Sequence, residues 1–96
     1  MMTKTVTIER YMVKDNYRRQ WGDCRLNYLQ EHNCPMKEVY FQAGVQMFEV
    51  PENLDGAEIL GYLERNGEIR ADMGEIYKVS GGSFYTDYVG FKKVVF

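Results

Sequence analysis

The chain is poor in the residues that most often carry chemistry or staple a small fold. Its 96 residues include two cysteines, two prolines, one tryptophan and one histidine. With one histidine (His32) and two cysteines (Cys24, Cys34), at most three zinc ligands exist, at spacings of eight and two. A structural zinc site takes four, and no C-x₂-C pair occurs. No apolar run approaches the about 18 residues of a membrane span. The first residues, Met1-Met2-Thr3-Lys4-Thr5-Val6-Thr7, lack the apolar stretch of a secretory leader. The expectation is a soluble cytoplasmic protein, away from membranes, with both thiols free. Positive charge is also short: 12 bases against 14 acids give a net charge of −2. A general electrostatic grip on nucleic acid needs the opposite balance.

The motifs of common catalytic and nucleotide sites are missing as well. There is no G-x-S-x-G, no H-E-x-x-H, no G-x-x-x-x-G-K-[ST], and no G-x-G-x-x-G leading into a helix. Cys34 and His32 stand two residues apart, where their side chains diverge, so they make a poor nucleophile–base pair. Asp72, Glu75 and Asp87 are the one set of carboxylates suited to acid–base work or to a small-ligand pocket. They read first as solvated acids. No enzyme activity, cofactor or metal is expected.

What is present is a foldable balance, with 45% apolar, 27% charged and 15% aromatic residues. Length and the absence of repeats, linkers or low-complexity tracts point to one domain over residues 1–96. So short a chain buries only roughly 60–65% of its unfolded surface, and large rings must fill a thin core. Thr5–Val13 reads as a half-buried strand, with Val6, Ile8 and Met12 of one parity. A helix follows from a cap at Asp15, Asn16 or Asp23, with Trp21, Cys24, Tyr28 and Leu29 at helical spacing, and Asn33-Cys34-Pro35 ends it. Val39–Val50 is the strongest β stretch, and Gly44 inside it marks a bulge, a bend or a turn between two short strands. Asp55 is expected to cap a second helix through Arg65, with Glu58 completing a capping box and Asn66-Gly67 stopping it. Its apolar stripe is Ala57, Ile59, Leu60 and Leu63. Glu75–Val79 and Phe84–Val89 form a hairpin pattern about a Gly81-Gly82 turn, pairing Val79 with Phe84 and Tyr77 with Thr86. Gly90 allows a kink before a last strand, Phe91–Phe96. The expected fold is a small α+β domain with two helices on a mainly antiparallel sheet, in the order β-α-β-(β)-α-β-β-β.

Charge is unevenly spread. Residues 1–37 hold seven bases and four acids; residues 38–96 hold five bases and ten acids. The second helix region supplies an acidic face of Glu52, Asp55, Glu58, Glu64 and Glu68, suited to a basic partner surface. The first helix region offers an opposing option: Arg18, Arg19 and Arg25 interleaved with Tyr17 and Trp21, the pattern of a single-strand stacking site. Tyr77, Phe84, Tyr88 and Phe91 stand at strand spacing and read as core, while Tyr11, Tyr40, Tyr62 and Tyr85 are candidates for an exposed aromatic patch. An open edge at the last strand would allow pairing with a second copy, so the chain is a monomer or a homodimer.

The C-terminal residues carry a further pattern. After the acidic helix come Ile69–Val79, a glycine turn, and Phe84-Tyr85-Thr86-Asp87-Tyr88-Val89-Gly90-Phe91. This resembles the YodL-like small domains of Firmicute mobile elements and phages, which pair a "GDVI" type strand with a "YYVDSxGF" type strand. Tyr85, Asp87, Gly90 and Phe91 match the second signature; Thr86 and Tyr88 depart from it, and Val89 holds the variable position. Gly74-Glu75-Ile76-Tyr77 stands for the first, with Glu in place of Asp. The resemblance spans about 40 residues and implies no catalytic residues. It implies an accessory protein of a mobile element or phage that acts by protein–protein binding, an inhibitor of host defence being one such role.

Overall fold

The computed structural model describes residues 2–14, 39–72, 74–87 and 90–95. Its framework is a five-stranded, wholly antiparallel sheet. The elements are β1 (Thr3–Val13), β2 (Tyr40–Pro51), α1 (Ala57–Arg65), β3 (Ile76–Val79), β4 (Gly82–Asp87) and β5 (Gly90–Val94). The spatial order is β2-β1-β3-β4-β5, so among the described residues β1 and β3 lie inside the sheet and β2 and β5 form its edges. This overturns the two-helix α+β layout: among the described residues one helix lies on a fold that is mostly antiparallel sheet. Residues 40–51 run as one strand, not two short ones, because the chain passes Gly44 through a bulge without turning back. The expected first helix, with Trp21, Cys24, Tyr28 and Leu29, lies outside the described residues.

The β1–β2 ribbon is long, from Thr3 opposite Pro51 to Val13 opposite Tyr40. Its register slips between Arg10, opposite Gly44, and Tyr11, opposite Gln42. Ala43 is therefore the extra residue of a bulge beside Gly44, one of the alternatives that glycine suggested. Only Glu9–Tyr11 of β1 pair with β3, opposite Ile76–Lys78. One face of the sheet presents Val6 and Ile8 from β1, Phe48 and Val50 from β2, Tyr77 and Val79 from β3, and Phe84 from β4. Helix α1 covers it with Ile59, Leu60 and Leu63, each at most 1% exposed. Burying each of these aliphatic side chains contributes roughly 1.5–3 kcal/mol.

The ends of α1 show what local pattern does and does not specify. The C-terminus closes as expected at Asn66-Gly67: Gly67, at φ 72°, donates to the Glu64 carbonyl at 3.1 Å, and Glu68 donates to the Leu63 carbonyl at 2.9 Å. That is the paired hydrogen-bond pattern of a Schellman stop. The capping box, in contrast, does not form. The N-cap is Gly56, and no side chain caps it. Position N3 is then Ile59, which is buried, and Glu58 sits one place too early to reach back. Asp55 serves instead by accepting the Gly56 N–H at Oδ1, 2.9 Å away.

The β3–β4 hairpin also departs from expectation. Its turn is Ser80-Gly81, both at positive φ (50° and 77°), as a type I′ turn demands. Tyr77 therefore faces Phe84 and Val79 faces Gly82, not the expected Val79–Phe84 and Tyr77–Thr86 pairs. The reason is the space that Phe84 requires. A Cβ on Gly82 would stand 3.0 Å from its ring, and a Cβ on Gly56 would stand 3.1 Å from it. Two glycines, one in the sheet and one at the start of α1, thus hold the ring between them. Gly56 also has φ 52°, which side chains rarely adopt. Gly56→Ala is expected to destabilise the fold by about 2 kcal/mol, lowering Tm by roughly 10 °C. Thermal unfolding followed by circular dichroism checks this, and an unchanged Tm contradicts it.

Candidate functional site

Two polar features stand out among the described residues, one on α1 and its flanking loops and one beside the seam between β1 and β3. The first is a set of exposed acids. Glu58 lies in the first turn of α1 and Glu64 near its end; Glu52 and Asp55 lie in the preceding loop, and Glu68 follows the Schellman stop. All five are exposed. None forms an ion pair among the described residues; the acids that do are Glu75, Asp72 and Asp87. Their backbone is held by the C-terminal stop, by the Glu52 N–H donating to the Met2 carbonyl at 3.1 Å, and by the buried stripe beneath α1. One cation, Arg65, shares the outer face of the helix and lies over Gly61.

The second feature centres on Glu75, which is buried just before β3. A tight turn holds it there: Glu75 N–H donates to the Asp72 carbonyl at 3.2 Å, and Gly74, at φ 92°, donates to the Thr86 carbonyl at 3.0 Å. Tyr40 reaches in from β2 and donates its hydroxyl to the Gly74 carbonyl at 2.8 Å. The Glu75 carboxylate is satisfied at both oxygens. Oε1 accepts the Asp72 N–H at 3.2 Å, and Oε2 accepts Arg10 Nε–H from β1. That hydrogen bond to Glu75 raises the Arg10 pKa above its ordinary value. The two terminal amino groups of Arg10 make no hydrogen bond among the described residues, and its side chain is 40% exposed.

A cavity of about 510 Å³ opens over this pair, lined among others by Ile8, Arg10, Gly44, Arg70, Asp72 and Tyr77. Its charged lining is Arg10, which pairs with Glu75 behind it, Arg70, which approaches Asp72 at 3.8 Å on an exposed rim, and Glu68. Tyr77 donates a long hydrogen bond, 3.4 Å, to the Arg70 carbonyl and packs edge-on against Phe91 with ring centroids 6.3 Å apart. Burial, reinforced by the Glu75 charge, pushes its hydroxyl pKa up to about 12. Beside this cluster the buried Thr86 hydroxyl has no hydrogen-bond partner among the described residues.

Of the carboxylates singled out from sequence, Asp72 lines this cavity and gives its backbone N–H to the buried Glu75, whereas Asp87 bridges to Lys92 at 3.0 Å at the far end of β4. The sequence reading missed Arg10 and Tyr77. Arg10 lies 65 positions from Glu75, so no local spacing announces their pairing. The expected exposed aromatic patch is not formed: Tyr40 and Tyr85 are buried, with Tyr11 and Tyr62 intermediate. Arg18, Arg19, Trp21 and Arg25 of the basic alternative lie outside the described residues, as do Tyr17, Cys24, His32, Cys34 and Tyr88. Among the described residues no group of three His, Cys, Asp or Glu side chains is placed to hold a metal. Nor is any described helix long and apolar enough to cross a membrane. Compared with protein-family models, curated proteins and solved structures, the chain finds no match.

The raised Tyr77 pKa has a stability consequence with a definite sign. Below pH 10 the hydroxyl is protonated in both the folded and unfolded chain, so its contribution is fully present. Between pH 10 and about 12 the unfolded chain ionises first, and the contribution is lost. Stability is expected to fall by about 2–3 kcal/mol across that window from this group, and Tyr77→Phe should remove that part of the slope. Urea unfolding at a series of alkaline pH values measures it; equal slopes in parent and variant would exclude this assignment.

Proposed function

We propose that the chain is a non-catalytic binding protein that presents its acidic α1 surface to a basic surface of a partner protein. The carrying observation is that Glu52, Asp55, Glu58, Glu64 and Glu68 are all exposed and none is neutralised by an ion pair among the described residues. Like charges held at fixed positions repel one another, and an oppositely charged partner relieves that repulsion and steers association. The likeness of Phe84–Phe91 to the YodL-like signature extends this reading to an accessory protein of a mobile element or phage, with a host defence protein as the target class. On this reading, affinity capture from nuclease-treated bacterial lysate enriches a basic protein. Glu58→Lys with Glu64→Lys lowers its recovery at least about tenfold, and recovery falls with added salt. Capture indifferent to charge reversal and to salt would sink the proposal.

A second reading, binding of a small carboxylate, is favoured by one observation: the amino groups of Arg10, which make no hydrogen bond among the described residues, stand at a cavity wide enough for a small molecule. Arginine presents a planar fork suited to carboxylates. A ligand of this class at a hundredfold excess over Kd would stabilise the fold by about 2.7 kcal/mol. Thermal shift with citrate and acetate is the check. A rise in Tm in the parent that is lost in Arg10→Gln supports this reading, and no shift with either anion removes it.

A further inference from the structure

The two edges of the sheet differ in how they meet solvent. β5 is five residues long and carries Lys92 and Lys93 in its middle. Lysine on an edge strand is a common guard against pairing with another chain. β2 is 12 residues long and, among the described residues, pairs on one side only, with β1. From Tyr40 to Phe48 it contains no charged residue and no proline, and Phe41–Met47 are seven consecutive exposed positions. Phe41, Val45 and Met47, at 44%, 54% and 67% exposure, are three of the five large apolar side chains exposed among the described residues. A long, uncharged, apolar edge offers main-chain donors and acceptors together with hydrophobic side chains.

We infer that β2 pairs antiparallel with β2 of a second copy of this chain, about a two-fold axis at Gln46. Three features select this occupant and this register. First, an isologous contact requires a surface compatible with itself, and an uncharged segment meets that condition without charge conflict. Second, the bulge at Ala43 ends the regular part of the strand, so a symmetric ladder starting at Gly44 and centred on Gln46 runs from Gly44 to Phe48. Third, that register sets Met47 of each copy opposite Val45 of the other. Both lie on the sheet face opposite the one α1 covers, because they alternate with Gln46 and Phe48. Four exposed apolar side chains then form one cluster. The two Glu49 carboxylates stand six positions apart along the ladder, roughly 20 Å, well beyond the screening length at physiological salt. Moving the axis one residue to Met47 would instead set Glu49 against Val45. The interface uses the sheet edge and not the acidic helix, so it and the proposed partner surface can each fail alone.

The test uses the full chain in sedimentation equilibrium. A dimer is expected at about 100 µM, and Val45→Lys with Met47→Lys should weaken it at least tenfold. Both positions are exposed, and an unchanged circular dichroism spectrum verifies that the fold survives. Lys92→Glu with Lys93→Glu, on the other edge, should leave the dimer intact. Register is read by cross-linking. In a Cys24→Ser, Cys34→Ser background, Gln46→Cys should form an intermolecular disulfide under mild oxidation, since cross-strand Cα spacing on the axis suits one, whereas Gln42→Cys should not. A monomer at this concentration, a dimer indifferent to the lysines on β2, or equal cross-linking at positions 42 and 46 would each overturn the inference. A monomer that instead took up an added β-strand peptide would assign the edge to a different occupant and overturn it too.

Discussion

The sheet depends on a seam three residues long. On one side lies the β1–β2 ribbon, on the other the β3–β4–β5 meander, and the ladder between them is Glu9–Tyr11 against Ile76–Lys78. So few backbone pairs would hold two twisted ribbons weakly, and side chains reinforce the joint on both faces. Arg10 and Glu75 bridge it with a charged hydrogen bond, and the ammonium of Lys78 stands 5.4 Å from the centre of the Tyr11 ring. Above it, Leu60, Leu63 and Ile59 join the cluster that includes Val6 and Ile8 from the ribbon and Tyr77 and Phe84 from the meander. Helix α1 thus acts as a clamp across the seam. Its own placement is set by the Phe84 ring, which passes between Gly56 and Gly82.

This arrangement separates support from display. The groups that hold the seam are buried or tied to one another, whereas the acids of α1 and its loops project from a helix whose inner face is already used. A surface built this way holds its charges at fixed positions, because the backbone beneath cannot relax to neutralise them. The cavity beside Arg10 has a different character. Arg10 is tied to Glu75 and Arg70 approaches Asp72, while Glu68, which forms no ion pair among the described residues, lines it together with the outer amino groups of Arg10.

Much of the local structure was legible in the residues. Alternation located β1, and the β-prone run of Val39–Val50 located β2. Gly44 marked a break that proves to be a bulge, and Asn66-Gly67 stopped the helix where expected. The errors lie where a local rule met a distant requirement. Gly81-Gly82 is an acceptable turn in isolation, but Phe84 needs the space above Gly82, which moves the turn to Ser80-Gly81. Asp55 and Glu58 have capping-box chemistry, but the backbone enters α1 through Gly56 and leaves Glu58 out of register. The Arg10–Glu75 pair was invisible for a simpler reason: its members are far apart in sequence, and either one alone resembles any surface charge. The acids around α1 are close neighbours along the chain, so their clustering in sequence was plain, and the structure adds that each is exposed.

The length of the seam also bears on how the chain finds its fold. The β3–β4 and β4–β5 pairs are hairpins whose partners are near in sequence, so they form at little cost in chain entropy. Joining Arg10 to Tyr77 instead closes a loop of more than sixty residues. The length-dependent part of that closure is on the order of 4 kcal/mol, and three ladder positions, the Arg10–Glu75 pair, the Lys78–Tyr11 contact and the Tyr40–Gly74 hydrogen bond meet it directly. A contact of this kind is the natural late step, completed when α1 already rests on the meander and offers its apolar stripe to the incoming strand. The clamp that holds the finished sheet together would then also be the surface on which its first strand arrives.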